Sequence, residues 1–148
     1  MPKNTPPGDI DALTELIIKA SWRLRRGGKK DMEALGLTFG QARALRFVVR
    51  HEAGLRMGDL AQLLEIVPRS ATTAVDTLEA AGVVARTPDP VDGRSVLVAA
   101  TPVGTALIER IDARKRANAT ALFSGLEKDE RGELVALLTK VVDPQVNR

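Results

Sequence analysis

The sequence of 148 residues predicts a mainly α-helical fold of about six helices with one small β-hairpin. Two observations lead to this prediction. Apolar residues recur at spacings of three and four through most of the chain, which is typical of amphipathic helices. The stretch "RTPDPVDGRSVLVAAT", residues 86–101, instead places apolar and β-branched runs on either side of Pro, Asp and Gly, which indicates two short strands around a turn.

The composition limits the class of protein. A hydrophobic fraction of 44% and a charged fraction of 28% are typical of a folded domain. The chain has no cysteine, which excludes disulfides, thiolate zinc sites and cysteine nucleophiles. No apolar run approaches the roughly 20 residues that cross a bilayer, and the first ten residues lack the apolar region of a signal peptide, so we expect a cytoplasmic protein with no membrane association.

Local signals place the first two helices. Residues 10–24 repeat apolar side chains at helical spacing, and the pair Gly27 and Gly28 predicts that this helix ends or breaks there. Thr38 followed three residues later by Gln41 predicts a capping box at the start of the second helix.

The third and fourth helices follow closely on one another. The stretch "MGDLAQLLE" predicts a short helix that opens at Gly58 or Asp59. Pro68 suits the first position of the next helix and Gly82 the position just past its end, which predicts about four turns. Its outer face is rich in Ser and Thr, which are mediocre helix formers, so we expect a role other than helicity to favour them. This face consists of Arg69, Ser70, Thr72, Thr73, Asp76 and Thr77.

The hairpin and two further helices complete the predicted order. Residues 83–87 and 95–100 predict a pair of antiparallel strands. Thr101 and Pro102 suit the cap and the first position of a long fifth helix. A break at Gly125 precedes the sixth helix.

Two short helices, the second with a polar outer face, followed directly by a hairpin indicate a winged helix-turn-helix. In that arrangement the second helix lies in the major groove of DNA, and the hairpin tip, the wing, reaches the adjacent backbone or minor groove. The sequence therefore predicts a DNA-binding region at residues 36–101, flanked by a helical dimerisation region at 9–35 and 102–148. A two-fold dimer would bury the apolar stripes of these outer helices.

The residue types on the fourth helix suit contacts with double-stranded DNA. Arg69 can donate two hydrogen bonds to guanine, and Ser70, Thr72 and Thr73 can bond base edges or phosphates. The residue before the helix, Val67, has no side-chain oxygen, so the first-turn N–H groups are left for a phosphate, a neighbouring side chain or water.

The hairpin linker has the length and composition of a projecting tip. Residues 88–94 are seven in number, longer than the two to five usual in a hairpin. Pro88 and Pro90 stiffen the approach to the tip, and Asp92 forms a favoured turn pair with the glycine after it. The sequence thus predicts a stiff wing that carries Arg94 at the end of its turn.

The stretch from Leu37 to Ile111 resembles the DNA-binding core of MarR-family transcriptional regulators. Three motifs carry the resemblance: "LA" in the third helix, "TLEAAGVVAR" at the exit of the fourth, and "DGRS" in the wing. The resemblance implies a homodimer, paired through its terminal helices, that binds an imperfect palindrome and most often represses. It also implies, for many relatives, release from DNA by a small phenolic or anionic effector. No cofactor is expected.

Site residues follow from the resemblance by position. Asp92 and Arg94 match the acidic and basic residues of the family's wing, which implies that Arg94 enters or flanks the minor groove. Asp92 would then hold the wing arginine or its loop in place. Arg86, on the strand that leaves the fourth helix, would favour a phosphate. The predicted DNA-binding residues are Pro68, Arg69, Ser70, Thr72, Thr73, Arg86, Asp92, Arg94 and Ser95.

Other interpretations remain open at this point. The Ser/Thr face could be an ordinary solvated surface, and Arg94 could pair with Asp92 or Asp89 inside the hairpin. Residues 36–100 carry seven basic and seven acidic side chains, so a winged helix that only associates with proteins is the alternative function. An enzyme is not expected, because the chain has a single histidine, His51, and no nucleophile-elbow or phosphate-binding glycine motif.

Overall fold

A computed structural model describes residues 7–143; residues 1–6, which lead into the first helix, and 144–148, the end of the predicted dimerisation region, lie outside the described residues. Within that range the chain forms six helices and three short strands, which confirms the predicted mainly α-helical fold with a small β-sheet wing. In chain order the elements are α1 (Pro7–Ala34), α2 (Phe39–Arg50), β1 (Leu55–Arg56), α3 (Met57–Leu64), α4 (Pro68–Ala80), β2 (Val84–Pro88), β3 (Val96–Ala100), α5 (Pro102–Phe123) and α6 (Lys128–Val142).

The described residues form two compact units, of which the larger comprises residues 25–115. This unit holds every buried apolar side chain among residues 8–143. Residues 25–35 and 102–115, which the sequence predicts to be part of the dimerisation region, belong to this unit in the structure. The largest fully buried side chains of its core are Leu45, Val48, Leu60, Val75, Leu78, Val83, Val98 and Leu107.

The predicted end or break of the first helix at Gly27 and Gly28 is wrong, because α1 continues to Ala34. Gly28 is buried, and a Cβ atom there would lie 3.0 Å from Cγ2 of Ile111 on α5. A spacing that tight is disfavoured for real side chains, so the absence of one lets the two helices pack closely. The glycine serves helix packing here and does not end the helix.

Two predicted helix caps are confirmed. The N–H of Gln41 donates to Oγ1 of Thr38 at 3.2 Å, and the N–H of Thr38 donates to Oε1 of Gln41 at 2.8 Å, which completes the capping box of α2. At the start of α5, Oγ1 of Thr101 accepts from the N–H of Gly104 at 3.2 Å and donates to the carbonyl of Gly82 at 2.7 Å. Thr101 therefore also fastens α5 to the end of α4.

The hairpin is confirmed, but it is part of a three-stranded antiparallel sheet with the order β1-β3-β2. The sequence did not predict β1, whose Leu55 pairs with Val98. β1 runs directly into α3, so this helix begins at Met57 and not at Gly58 or Asp59. The sheet thereby links the wing to the first helix of the helix-turn-helix.

The smaller unit comprises residues 7–24 and 116–143 of the described chain. None of the side chains of residues 8–24 and 116–143 is buried, and the helices of this unit expose large apolar residues, of which Trp22 is 75% exposed. The other exposed large apolar residues of this unit are Ile10, Leu13, Leu16, Ile17, Ile18, Val135, Leu137, Leu138, Val141 and Val142.

No helix within residues 7–143 is long and apolar enough to span a bilayer.

Candidate nucleic-acid interface

Buried inner faces position α3 and α4 against the core. Leu60, Ala61 and Leu64 are buried on α3, and Ala71, Val75 and Leu78 form the buried stripe of α4. The turn between the helices is made by Glu65 in the left-handed region, with φ 55° and ψ 42°. Because the inner faces are fixed, the outer face of α4 is presented to solvent.

The amino terminus of α4 has no side-chain cap. Val67 occupies the N-cap position with no hydrogen bond from its side chain, and Pro68 takes the first helical position, as predicted. The N–H groups of Ser70 and Ala71 lie 3.0 Å and 3.3 Å from the carbonyl oxygen of Val67. Arg69 and Ser70 are exposed beside this end, so a positive side chain and a hydroxyl stand next to the positive end of the helix dipole.

The threonine hydroxyls of α4 donate inward, to the carbonyl one turn earlier. Thr72 donates to Pro68 at 3.1 Å, Thr73 to Arg69 at 3.1 Å, and Thr77 to Thr73 at 3.3 Å. These bonds satisfy the hydroxyl protons within the helix and explain how threonine is accommodated on it. Thr72 and Thr73 are exposed, and they retain a hydroxyl oxygen that can accept and a methyl group that can meet a thymine methyl.

The wing loop, residues 89–95, is held by Asp92. Its Oδ1 accepts from the N–H of Arg94 at 3.1 Å, and its Oδ2 accepts from Oγ of Ser95 at 3.1 Å. The N–H of Ser95 also donates to the carbonyl of Asp92 at 2.9 Å. Of the two roles implied for Asp92, the structure shows the one in which it organises the loop.

The Arg94 side chain extends from this loop into solvent. Its guanidinium forms no hydrogen bond or ion pair with any other residue in the described part of the chain, so neither intrahairpin pair considered for it, with Asp92 or with Asp89, is formed. Pro68, Arg69, Ser70, Thr72, Thr73, Asp92 and Arg94 are all exposed, and Ser95 is partly so.

Arg86 has carboxylate partners on α4. Its guanidinium donates to Oδ1 of Asp76 at 2.5 Å and to Oε1 of Glu79 at 2.8 Å, and its own N–H lies 3.2 Å from Oε2 of Glu79. The hydrogen bond to Asp76 is the largest cause that raises the pKa of the Arg86 guanidinium, against a smaller lowering by burial. These contacts join β2 to the last turns of α4. The guanidinium of Arg86 is thus already neutralised by two carboxylates, and its predicted contact with a phosphate stays a prediction.

Sequence reasoning missed Arg56, the last residue of β1. Its guanidinium donates to Oδ2 of Asp89 from Nε at 3.0 Å and from Nη2 at 2.6 Å. The N–H of Val91, and secondly Arg56, hold the pKa of the Asp89 carboxyl below its usual range. No local sequence pattern predicts this ion pair, because its two residues lie 33 positions apart in the chain.

Taken together, two short packed helices, an exposed polar face on the second and a projecting basic wing define a winged-helix DNA-binding protein. Comparisons with known proteins agree. A model of the MarR family matches residues 35–95. The HTH-type transcriptional repressors Rv2887 of Mycobacterium tuberculosis and Mb2911 of Mycobacterium bovis are each 31% identical over 133 residues, 90% of this chain and 95% of theirs. The chain belongs to the MarR family, whose members are DNA-binding transcriptional regulators and not enzymes.

Solved structures show the same fold. MarR from E. coli, without ligand, is 29% identical, with a TM-score of 0.64 over 88% of this chain and 96% of that one. The S. aureus MepR–DNA complex is 23% identical, with a TM-score of 0.74 over 88% of this chain and 98% of that one. This second likeness supports the winged-helix fold.

Proposed function

We propose that this protein is a transcriptional repressor that binds a palindromic operator as a homodimer. The observation that carries the proposal is the exposed polar face of α4 beside a wing whose Arg94 extends into solvent without a partner among the described residues. Two relatives named transcriptional repressors match nearly the whole chain and support the direction of regulation. The proposed place of action is the cytoplasm.

The proposed contacts divide into base reading and positioning. Arg69 reads guanine, while the outward oxygens and methyls of Thr72 and Thr73 meet base edges in the major groove. Pro68 and Ser70 lie at the uncapped helix end, where a phosphate would meet the positive end of the helix dipole. These contacts fix register as well as sequence preference.

The wing supplies the remaining contacts. Arg94 reaches the minor groove or its flanking phosphates, and Asp92 with Ser95 keeps the loop that carries it in shape. Arg86 lies on the strand behind the wing and would reach a phosphate only by loosening its bonds to Asp76 and Glu79. We therefore rank Arg86 below Arg94 as a DNA contact.

Dimerisation is supported by the smaller unit, residues 7–24 and 116–143. Its large apolar side chains are exposed on both α1 and α6, and so many exposed large apolar side chains favour an interaction surface. A two-fold dimer would bury these side chains and supply two copies of α4. For a palindromic operator the two copies should lie about 34 to 36 Å apart.

Release by a small effector completes the proposal and rests on the family resemblance. An effector of phenolic or anionic character would favour a dimer whose recognition helices are misplaced for adjacent major grooves. DNA affinity would then fall by the ratio of the effector's affinities for the two states.

The test is a binding selection from a pool of random double-stranded DNA, followed by titration of the selected duplex with wild type, Arg69→Ala and Arg94→Ala. Arg69→Ala should weaken the free energy of DNA binding by about 1 to 3 kcal/mol and relax the base preference at one base pair of each half-site. Arg94→Ala should weaken binding while the melting temperature stays near that of wild type. Arg110→Ala, an exposed arginine of α5, is the charge-matched control and should bind nearly as wild type.

Salt dependence separates this function from the alternative. A DNA reader loses affinity steeply as salt rises, with a slope set by the number of phosphates it contacts. If wild-type protein selects no sequence and binds no duplex even at low salt, the protein-association module replaces the proposal.

A further inference from the structure

An ion pair between an exposed arginine and a buried aspartate joins the wing to the start of α3. Asp89 directly follows β2 and is 6% exposed, and among the described residues it is the one buried charged side chain. Both hydrogen bonds that its Oδ2 accepts come from the guanidinium of Arg56, the N-cap residue of α3. A guanidinium has donors only and cannot cap the N–H groups of its own helix, and this one is directed to the wing.

Asp89 also holds both arms of the wing loop. Its Oδ1 accepts from the N–H of Val91 at 2.9 Å on the outgoing arm. Its own N–H donates to the carbonyl of Ser95 at 2.9 Å on the returning arm. Because Arg56 grips the same carboxylate, the base of the wing is tied to α3 by side chains as well as by the pairing of β1 with β3.

The pair also determines what Arg94 can contact. Asp89 and Asp92 are the two carboxylates of the loop that carries Arg94. Arg56 occupies the first, while the N–H of Arg94 and the hydroxyl of Ser95 occupy the second. Neither carboxylate is bonded to the Arg94 guanidinium, which leaves that cation to a phosphate or a groove.

We infer that Arg56 and Asp89 are positioning residues for DNA binding: their pair fixes the wing on α3 and keeps Asp89 from neutralising Arg94. The inference rests on the proposed role of Arg94 at DNA. Neither residue needs to touch DNA for this role, and Asp89 in particular is a buried anion. Removing a carboxylate from a DNA-binding surface raises the affinity for DNA by charge alone. The inference predicts the opposite for Asp89, namely that removing its charge lowers the affinity for DNA.

The decisive variant is Asp89→Asn, compared with Asp59→Asn, which removes an exposed acid from the first turn of α3. Titration of the selected duplex should show Asp89→Asn binding about tenfold more weakly than wild type, because Arg56 loses its charged acceptor and the wing loses its anchor. Asp59→Asn should bind as wild type or more tightly. Equal or tighter binding by Asp89→Asn would overturn the inference.

A double variant tests whether the pair acts through the wing. In a background of Arg94→Ala, Asp89→Asn should lower affinity by less than twofold, since the group that it positions is already gone. If the double variant loses affinity by the full product of the two single-variant factors, the inference is overturned. Hydroxyl-radical footprinting of the duplex should show the wing-side protection lost and the α4 protection kept in Asp89→Asn.

Arg56→Lys keeps the test decisive if Asp89→Asn unfolds, because it retains the charge and a single donor nitrogen in place of the guanidinium fork. It should weaken binding about threefold with an unchanged salt slope, whereas a direct phosphate role would leave the affinity nearly unchanged on exchange of one cation for another. An affinity equal to that of wild type contradicts the inference. A failure confined to these variants leaves the proposed function intact, whereas wild-type protein that binds no DNA removes both.

Discussion

The two compact units differ in where their apolar side chains go. All the fully buried apolar side chains of the described chain lie within residues 25–115, in a core around α2 to α5. Residues 8–24 and 116–143 bury none, and they leave large apolar side chains such as Leu13 and Leu137 about half exposed, at 55% and 51%. One unit is complete within a single chain, and the other has an apolar surface that a second copy of the chain would complete.

This difference separates two kinds of stability. A core sealed within one chain depends on packing, so its stability does not depend on protein concentration. An apolar surface shared between copies is buried only on association, and its contribution to stability grows with concentration. Substitutions in the two units should therefore fail in different ways, and each of the following predictions uses that contrast.

The largest effect is expected from charges in the exposed apolar surface. The pair of substitutions Leu13→Asp and Leu137→Asp should convert the proposed dimer to a monomer, because two carboxylates per chain would be buried in it without partners. Loss of the second half-site contact should lower operator affinity by about 10² to 10⁴-fold. Analytical ultracentrifugation and duplex titration measure the two effects. Lys19→Asp, which changes the charge of the chain by the same amount on an exposed side chain of α1, should leave the proposed dimer intact. A double variant that remains dimeric would show that these faces do not form the interface.

A smaller effect, confined to the core, is expected at Gly104. A Cβ atom there would lie 2.0 Å from the carbonyl oxygen of Val83, a backbone atom that cannot move aside cheaply. Gly104→Ala should lower the free energy of unfolding by about 1 to 3 kcal/mol. Thermal unfolding followed by circular dichroism checks this expectation.

The control for Gly104 lies in the other unit. Gly132 is exposed on α6, and an added Cβ would meet nothing within 4 Å. Gly132→Ala should therefore stabilise by about 0.5 to 1 kcal/mol through helix propensity. Equal responses at the two glycines would contradict the packing argument.

The smallest effect is expected at Glu65, the residue with positive φ in the turn before α4. Glu65→Gly should raise the free energy of unfolding by about 0.5 to 1 kcal/mol, because glycine adopts the left-handed region without steric strain. The same substitution at Glu109, an exposed helical site of α5, should lower the free energy of unfolding by about 1 kcal/mol. Urea unfolding of both variants gives the two signs, and a loss of stability at Glu65 would show that the side chain itself is needed there.

The features that the sequence predicted well are local. Thr38 with Gln41, and Pro68 with Gly82, lie within one element or at its ends, so their caps follow from spacing alone. The polar outer face of α4 was equally legible, because helical periodicity separates it from the buried stripe.

The features that the sequence did not predict depend on residues distant in the chain. Gly28 stays helical because Ile111 packs against it, and β1 exists because β3 offers it a partner. The same holds for the ion pair of Arg56 with Asp89, since nothing in the sequence near Asp89 indicates that Arg56 would bind its carboxylate. The fold and the outer face of α4 could thus be predicted, whereas the support of the wing required the tertiary structure.

The strand order β1-β3-β2 has a consequence for solubility. The central strand, β3, has both of its edges paired, so further strands could add only beside β1 or β2. β1 is two residues long, and β2 ends in Pro88, which has no N–H to donate to a neighbour. A short edge and an edge with proline are both poor templates for pairing with another chain. The sheet that carries the wing therefore resists sheet-to-sheet aggregation while its tip stays open to DNA.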